Sequence, residues 1–183
     1  MSTRSYIAKQ IGENQYKTIY CHSDGYLTHN GAMLFDHYSN ADKLDELLNL
    51  GDISYLAPNI YPDPSKPHGF KYDERQDGVI VAYGRDRGDK DVEAKMFTQR
   101  QLTSTDSWIA YIYVFNKDNQ WVYGRPGQNV NEFRNVKEEL DSSYSHYKME
   151  RPEGYYGYLS KEVADLLKEQ QSDIQTESYE QTM

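Results

Sequence analysis

Two paired runs of strand-forming residues constrain this chain most. Arg4 to Gln10 and Gln15 to His22 are joined through Gly12-Glu13-Asn14, a hairpin signature. Ser107 to Phe115 and Gln120 to Tyr123 flank Asn116-Lys117-Asp118-Asn119 in the same way. Two hairpins commit the fold to an antiparallel sheet. Gly78-Val79-Ile80-Val81-Ala82-Tyr83 is short, apolar and β-branched, as a buried strand is, and brings the expected sheet to about five strands.

Helical spacing appears between and after these runs. Ala32 to Phe35 reads as one or two turns. Ser39 or Asn40 can cap a helix over Ala41 to Leu50, where Leu44, Leu47 and Leu48 form a stripe that Gly51 closes. Asn131 to Tyr147 places Phe133, Val136, Leu140 and Tyr144 at near-helical intervals, and Ser160 can cap Lys161 to Gln170. Residues 57 to 78 hold Pro58, Pro62, Pro64, Pro67, Gly69 and Gly78 and read as a long, mobile surface loop. The expectation is an α+β fold, with about five antiparallel strands, about three helices on one side, a long loop in the middle and a disordered acidic C-terminal tail. At 183 residues the chain suits one domain over residues 1–170, with 128–170 as a candidate sub-lobe and 171–183 as a flexible tail.

Composition turns the argument toward function. The chain has 18 tyrosines, and 29 acidic against 20 basic side chains give a formal charge of −9. Tyrosine binds through both ring and hydroxyl at low entropic cost, which favours recognition surfaces. Net negative charge repels a phosphate backbone, so a basic protein partner fits and direct nucleic-acid binding does not. The excess lies toward one end, since residues 128–183 hold 12 acidic and 6 basic side chains. There Glu138, Glu139, Asp141, Tyr144, Tyr147, Glu150, Glu153, Tyr155, Tyr156 and Tyr158 interleave carboxylates with flat rings. Spaced carboxylates resemble phosphates and the rings can stack on arginines, the logic of a nucleic-acid mimic. A single cysteine, Cys21, suits a reducing cytoplasm, and no run approaches the roughly 20 apolar residues of a membrane span.

Few constellations suggest chemistry. Cys21, His22 and His29, with Asp24 and His37 nearby, contain zinc-ligand types. Adjacent residues at a strand end face opposite ways, however, so a buried Cys21 beside a hydrogen-bonded His22 is the expected arrangement. The same opposition denies Cys21 a base for nucleophilic catalysis. Gly84-Arg85-Asp86-Arg87-Gly88 lacks the spacing of a phosphate loop, and its arginines are expected to pair with local carboxylates. Trp108, Trp121, Tyr111 and Tyr113 are expected to serve core and cross-strand packing.

The segments Met1-Ser2-Thr3-Arg4-Ser5-Tyr6-Ile7-Ala8, Tyr20-Cys21-His22-Ser23-Asp24-Gly25-Tyr26 and Tyr83-Gly84-Arg85-Asp86-Arg87-Gly88 resemble a family of small proteins of phages and mobile elements in Gram-positive bacteria. The likeness covers about the first half. The resemblance implies a phage setting, and by analogy of charge and context an anti-CRISPR role. That gives a non-enzymatic inhibitor, without cofactor, in the cytoplasm of an infected bacterial cell. Its partner would be a host type II RNA-guided CRISPR nuclease or another basic nucleic-acid-binding protein. The alternatives are a small metal-binding protein or enzyme built on Cys21, His22 and His29, and a phage accessory protein that binds another phage protein. The aromatic content is also compatible with a homodimer.

Overall fold

The computed structural model describes residues 2–147. The first hairpin forms as expected: β1 (Ser5–Gly12) and β2 (Gln15–Cys21) are antiparallel, with Ser5 opposite Cys21 and Tyr6 opposite Tyr20. A π-helical turn, Leu27–Gly31, runs directly into α1 (Ala32–His37). In α2 (Ala41–Asn49) the side chain of Asn40 caps the first turn by accepting from the backbone N–H of Asp42 and Lys43 at 3.0 and 3.1 Å. A cap of this kind contributes about 1 kcal/mol. Gly51 ends the helix region at φ +83°, and a Cβ there would collide with the Val92 carbonyl.

Among the described residues eight strands form one mixed sheet, larger than the five expected. Its order is β4 (Val81–Ala82), β3 (Ile53–Tyr55), β2, β1, β6 (Tyr111–Phe115), β7 (Trp121–Gly124), β8 (Arg134–Asn135). The remaining strand, β5 (Lys95–Phe97), pairs with Tyr16–Thr18 of β2, while β3 meets the same edge at Cys21. Between those contacts the Asp52 carboxylate accepts the Tyr20 N–H at 2.8 Å, so the gap in the ladder is filled by a side chain. The sheet is not purely antiparallel. β6 runs parallel to β1, with Ser5 opposite Tyr111, and places the second hairpin beside the first.

Two expected elements are corrected, and the long loop expected over 57–78 is present. The strand foreseen over 78–83 is only Val81–Ala82, because the Asp86 carboxylate accepts the Ala82 N–H at 2.8 Å and Tyr83 starts α3 (Tyr83–Arg87). The helix foreseen from Asn131 is preceded by a 3-10 turn (Val130–Glu132) and β8, and α5 spans Val136–Tyr147. The loop over 57–78 is pinned. Arg85 donates to the carbonyls of Ile60 and Ile80 and pairs with Asp86, and Gln76 donates to the carbonyls of Asp63, Lys66 and Pro67. His68 accepts the Gln76 N–H on Nδ1, so Nε2 carries the proton that faces Asp86 at 3.3 Å. The helix expected over 161–170 and the tail over 171–183 lie outside the described residues.

Strand alternation gives the sheet two faces. On one, Ile7, Ile19, Tyr113, Phe115 and Trp121 pack under α1, α2 and α5 in the main core. On the other, Ala8, Tyr16, Ile112 and Val114 form a smaller core with Ile109 and with Leu102 of α4 (Gln99–Leu102). Among the described residues no helix is long and apolar enough to cross a membrane.

Candidate binding site

The smaller core stops short of one corner of its face. Tyr6 and Tyr20, opposed across the β1–β2 ladder, form a ridge with a hollow on each side. The larger hollow, about 510 Å³, is lined by Arg4, Tyr6, Tyr20, Ser107, Trp108 and Ile109. The smaller, about 230 Å³, adds Thr18, Asp52, Lys95 and Phe97 to the same ridge. The corner is tied at its base, where the Arg4 carbonyl accepts the Ala110 N–H at 2.9 Å as the chain enters β6.

Trp108 defines the rim and is 85% exposed. The expectation that it packs in the core is therefore corrected, whereas Trp121 is buried against Phe115 and donates its indole N–H to the Tyr38 carbonyl. The polar run Thr103-Ser104-Thr105-Asp106-Ser107 was the signal that Trp108 belongs to a loop rather than to a strand. The Arg4 guanidinium lies 5.9 Å from the Trp108 ring centroid, and among the described residues no carboxylate lies within 4.0 Å of it. Stacked cations of this kind contribute about 0.5–1 kcal/mol at exposed sites.

Polar groups behind the ridge are set by burial. The Tyr20 hydroxyl meets His22 Nδ1 at 2.8 Å, and the Tyr20 ring stacks on Tyr83 at 6.5 Å. Burial, with the Arg4 charge second, lowers the His22 pKa, so the imidazole is neutral at pH 7. Burial raises the Asp52 carboxyl above its usual range. Beyond Tyr83 the Arg87 guanidinium covers both that ring and Phe70, at 4.7 and 4.4 Å, and pairs with Asp89. The expected local pairing of Arg85 and Arg87 is thus what the structure has.

The residues considered for metal or nucleophilic chemistry are engaged elsewhere. Cys21 lies buried in the main core, where Asn30 donates to its sulfur at 3.3 Å and burial pushes its thiol pKa up to about 11. His22 faces the other way, and His29 is held between Asn30 at 2.9 Å and the Tyr55 hydroxyl at 3.2 Å. Cys21, His22 and His29 therefore do not converge on one point, and the metal reading is corrected; among the described residues no three Cys, His, Asp or Glu side chains are gathered as an ion needs. Gly25 has a structural task. Its N–H donates to the Thr3 carbonyl at 2.8 Å and its carbonyl accepts the Tyr113 hydroxyl at 2.7 Å.

The acidic candidates divide. Glu138 and Glu139 sit in the first turn of α5, where negative charge suits the helix dipole. Glu138 is exposed, whereas Glu139 pairs with Arg134 at 3.3 Å and Asp141 with Lys137 at 3.1 Å. Tyr144 and Tyr147 fall in the last turns of α5, and Glu150, Glu153, Tyr155, Tyr156 and Tyr158 lie outside the described residues. Of the twelve tyrosines before residue 143, only Tyr61 and Tyr72 are exposed, and Tyr111, Tyr113 and Tyr123 form a ladder facing the main core. Compared with protein-family models, curated proteins and solved structures, this chain matches none.

Proposed function

We propose that this chain works by recognising another protein, and that the partner is a nucleic-acid-handling protein of a bacterial defence system, an RNA-guided nuclease in the first instance. One observation carries the recognition reading. An exposed Trp108, an Arg4 guanidinium over its ring and the Tyr6–Tyr20 ridge meet around one hollow. Trp, Tyr and Arg are the residue types that dominate binding energy at protein interfaces, where they act as anchors in preformed pockets. Charge supports the choice of partner, because RNA-guided nucleases hold nucleic acid in a strongly positive channel. The 12 acidic side chains over 128–183 would steer the approach to such a channel. The inhibitory outcome, the type II target and the phage setting rest on the sequence resemblance and on charge.

A cleavage assay with purified nuclease, guide RNA and target DNA at graded amounts of this chain tests the reading. Cleavage should fall as the chain saturates the nuclease. Unchanged cleavage at saturation removes the nuclease as the target. Reversing Glu138, Glu139 and Asp141 together to Lys should slow association and flatten its dependence on salt, since such charges act mainly on the encounter rate. Trp108→Ala should instead speed dissociation, by about thirty-fold for an anchor worth about 2 kcal/mol.

A further inference from the structure

We infer that the Arg4–Trp108 hollow receives a short peptide segment of the partner in which an apolar side chain lies beside a carboxylate. This inference rests on the recognition reading above and supplies its ligand chemistry. Three observations fix that chemistry. The walls are apolar and aromatic: Trp108, Ile109, Tyr6 and the Tyr20 ring, in a volume of about 510 Å³ that suits two or three side chains. Arg4 is the cation in the lining, and among the described residues it has no carboxylate within 4.0 Å, a condition that Arg75, Arg100 and Arg125 share elsewhere on the molecule. The Arg4 side chain is engaged with Tyr20, yet a guanidinium has five N–H groups, and those left over beside a wall of rings match a carboxylate.

The setting selects against a polyanion. Residues 1–147 carry 21 acidic and 16 basic side chains, and across the Tyr6–Tyr20 ridge the cation Lys95 is matched by the carboxylate of Asp52. Neutral His22 adds no second cation to hold successive phosphates. A single carboxylate seated on Arg4 meets no such repulsion. The hollow and the acidic C-terminal third therefore divide the work, the first gripping a local acidic loop and the second steering toward a cationic surface.

Trp108 provides a direct readout, because its exposed indole emits at longer wavelength than buried Trp121. The probes are acetyl-Gly-Leu-Glu-Leu-Gly-amide, the same peptide with Gln or Lys in place of Glu, and an oligothymidylate, each titrated into the full chain. The Glu peptide should give a saturable blue shift of the Trp108 emission. Binding should be about ten-fold weaker for the Gln peptide and for the Arg4→Gln protein, the worth of one charge-assisted hydrogen bond. The Trp121 signal must stay constant, which shows that Arg4→Gln remains folded. No shift with any peptide overturns the inference, as does equal binding of the Lys peptide. Tighter binding of oligothymidylate would make the hollow a base-stacking platform and overturn it too. A chain that binds the Glu peptide yet leaves cleavage untouched would separate the two readings, removing the nuclease and keeping the hollow.

Discussion

The two faces of the sheet use the same residue types in opposite ways. Beneath α1, α2 and α5 the aromatic polar atoms point inward and are satisfied: Tyr38 donates to the Ala57 carbonyl at 2.6 Å, Tyr113 to that of Gly25, and Trp121 to that of Tyr38. On the opposite face, Trp108 stands in solvent and Arg4 lacks a carboxylate. Buried hydroxyls with local acceptors specify a packing, whereas exposed rings around a hollow cost solubility and are retained where something binds. Tyrosine abundance therefore has two sources in this molecule, and most of its described share goes to the core.

Substitutions can break that contrast. Leu47→Ala, at a fully buried site of α2, should destabilise by about 3 kcal/mol through lost contact and a cavity, measured by urea unfolding. Gly25→Ala should cost about 2 kcal/mol, because the added Cβ would lie 2.7 Å from the Thr3 carbonyl oxygen and force backbone apart. Acid should cost less than either. Burial raises the Asp86 carboxyl, but the hydrogen bonds from Arg85 and the Ala82 N–H and the nearby charges outweigh it and leave its pKa below the usual value. Stability from Asp86 is therefore full above the unfolded pKa of about 3.9 and is lost as pH falls through the lower folded value. Urea midpoints taken through that window should fall, and Asp86→Asn should flatten the slope. Smallest of all, Trp108→Ala should change stability by less than about 0.5 kcal/mol while weakening partner binding. Destabilisation by Trp108→Ala as large as that by Leu47→Ala would mean that the two faces are not different in kind.

What the sequence disclosed follows from how local each feature is. Both hairpins were legible because turn residues and alternating strands lie within about twenty residues. Asn40 and the leucine stripe likewise announced α2. The strands β3, β5 and β8 are two or three residues long and exist because a neighbour offers them a ladder, so no propensity marks them. Tyr83 turns helical against its β-branched neighbours because Asp86, four residues beyond Ala82, takes that N–H. Of the site, Trp108 was visible as a residue but not as a rim, since its direction depends on β6 joining β1 from more than a hundred positions away. Arg4 gave no signal; its place follows from the same pairing.

The central position of β1 also has consequences for how the protein is made. β1 lies between one neighbour that follows at once and another, β6, that emerges about a hundred residues later. Until then one side of β1 presents unpaired amides and carbonyls to any chain nearby. Completion must wait for a distant segment, so folding should be slow for the chain's size and a nascent product ending before Tyr111 should be a chaperone client.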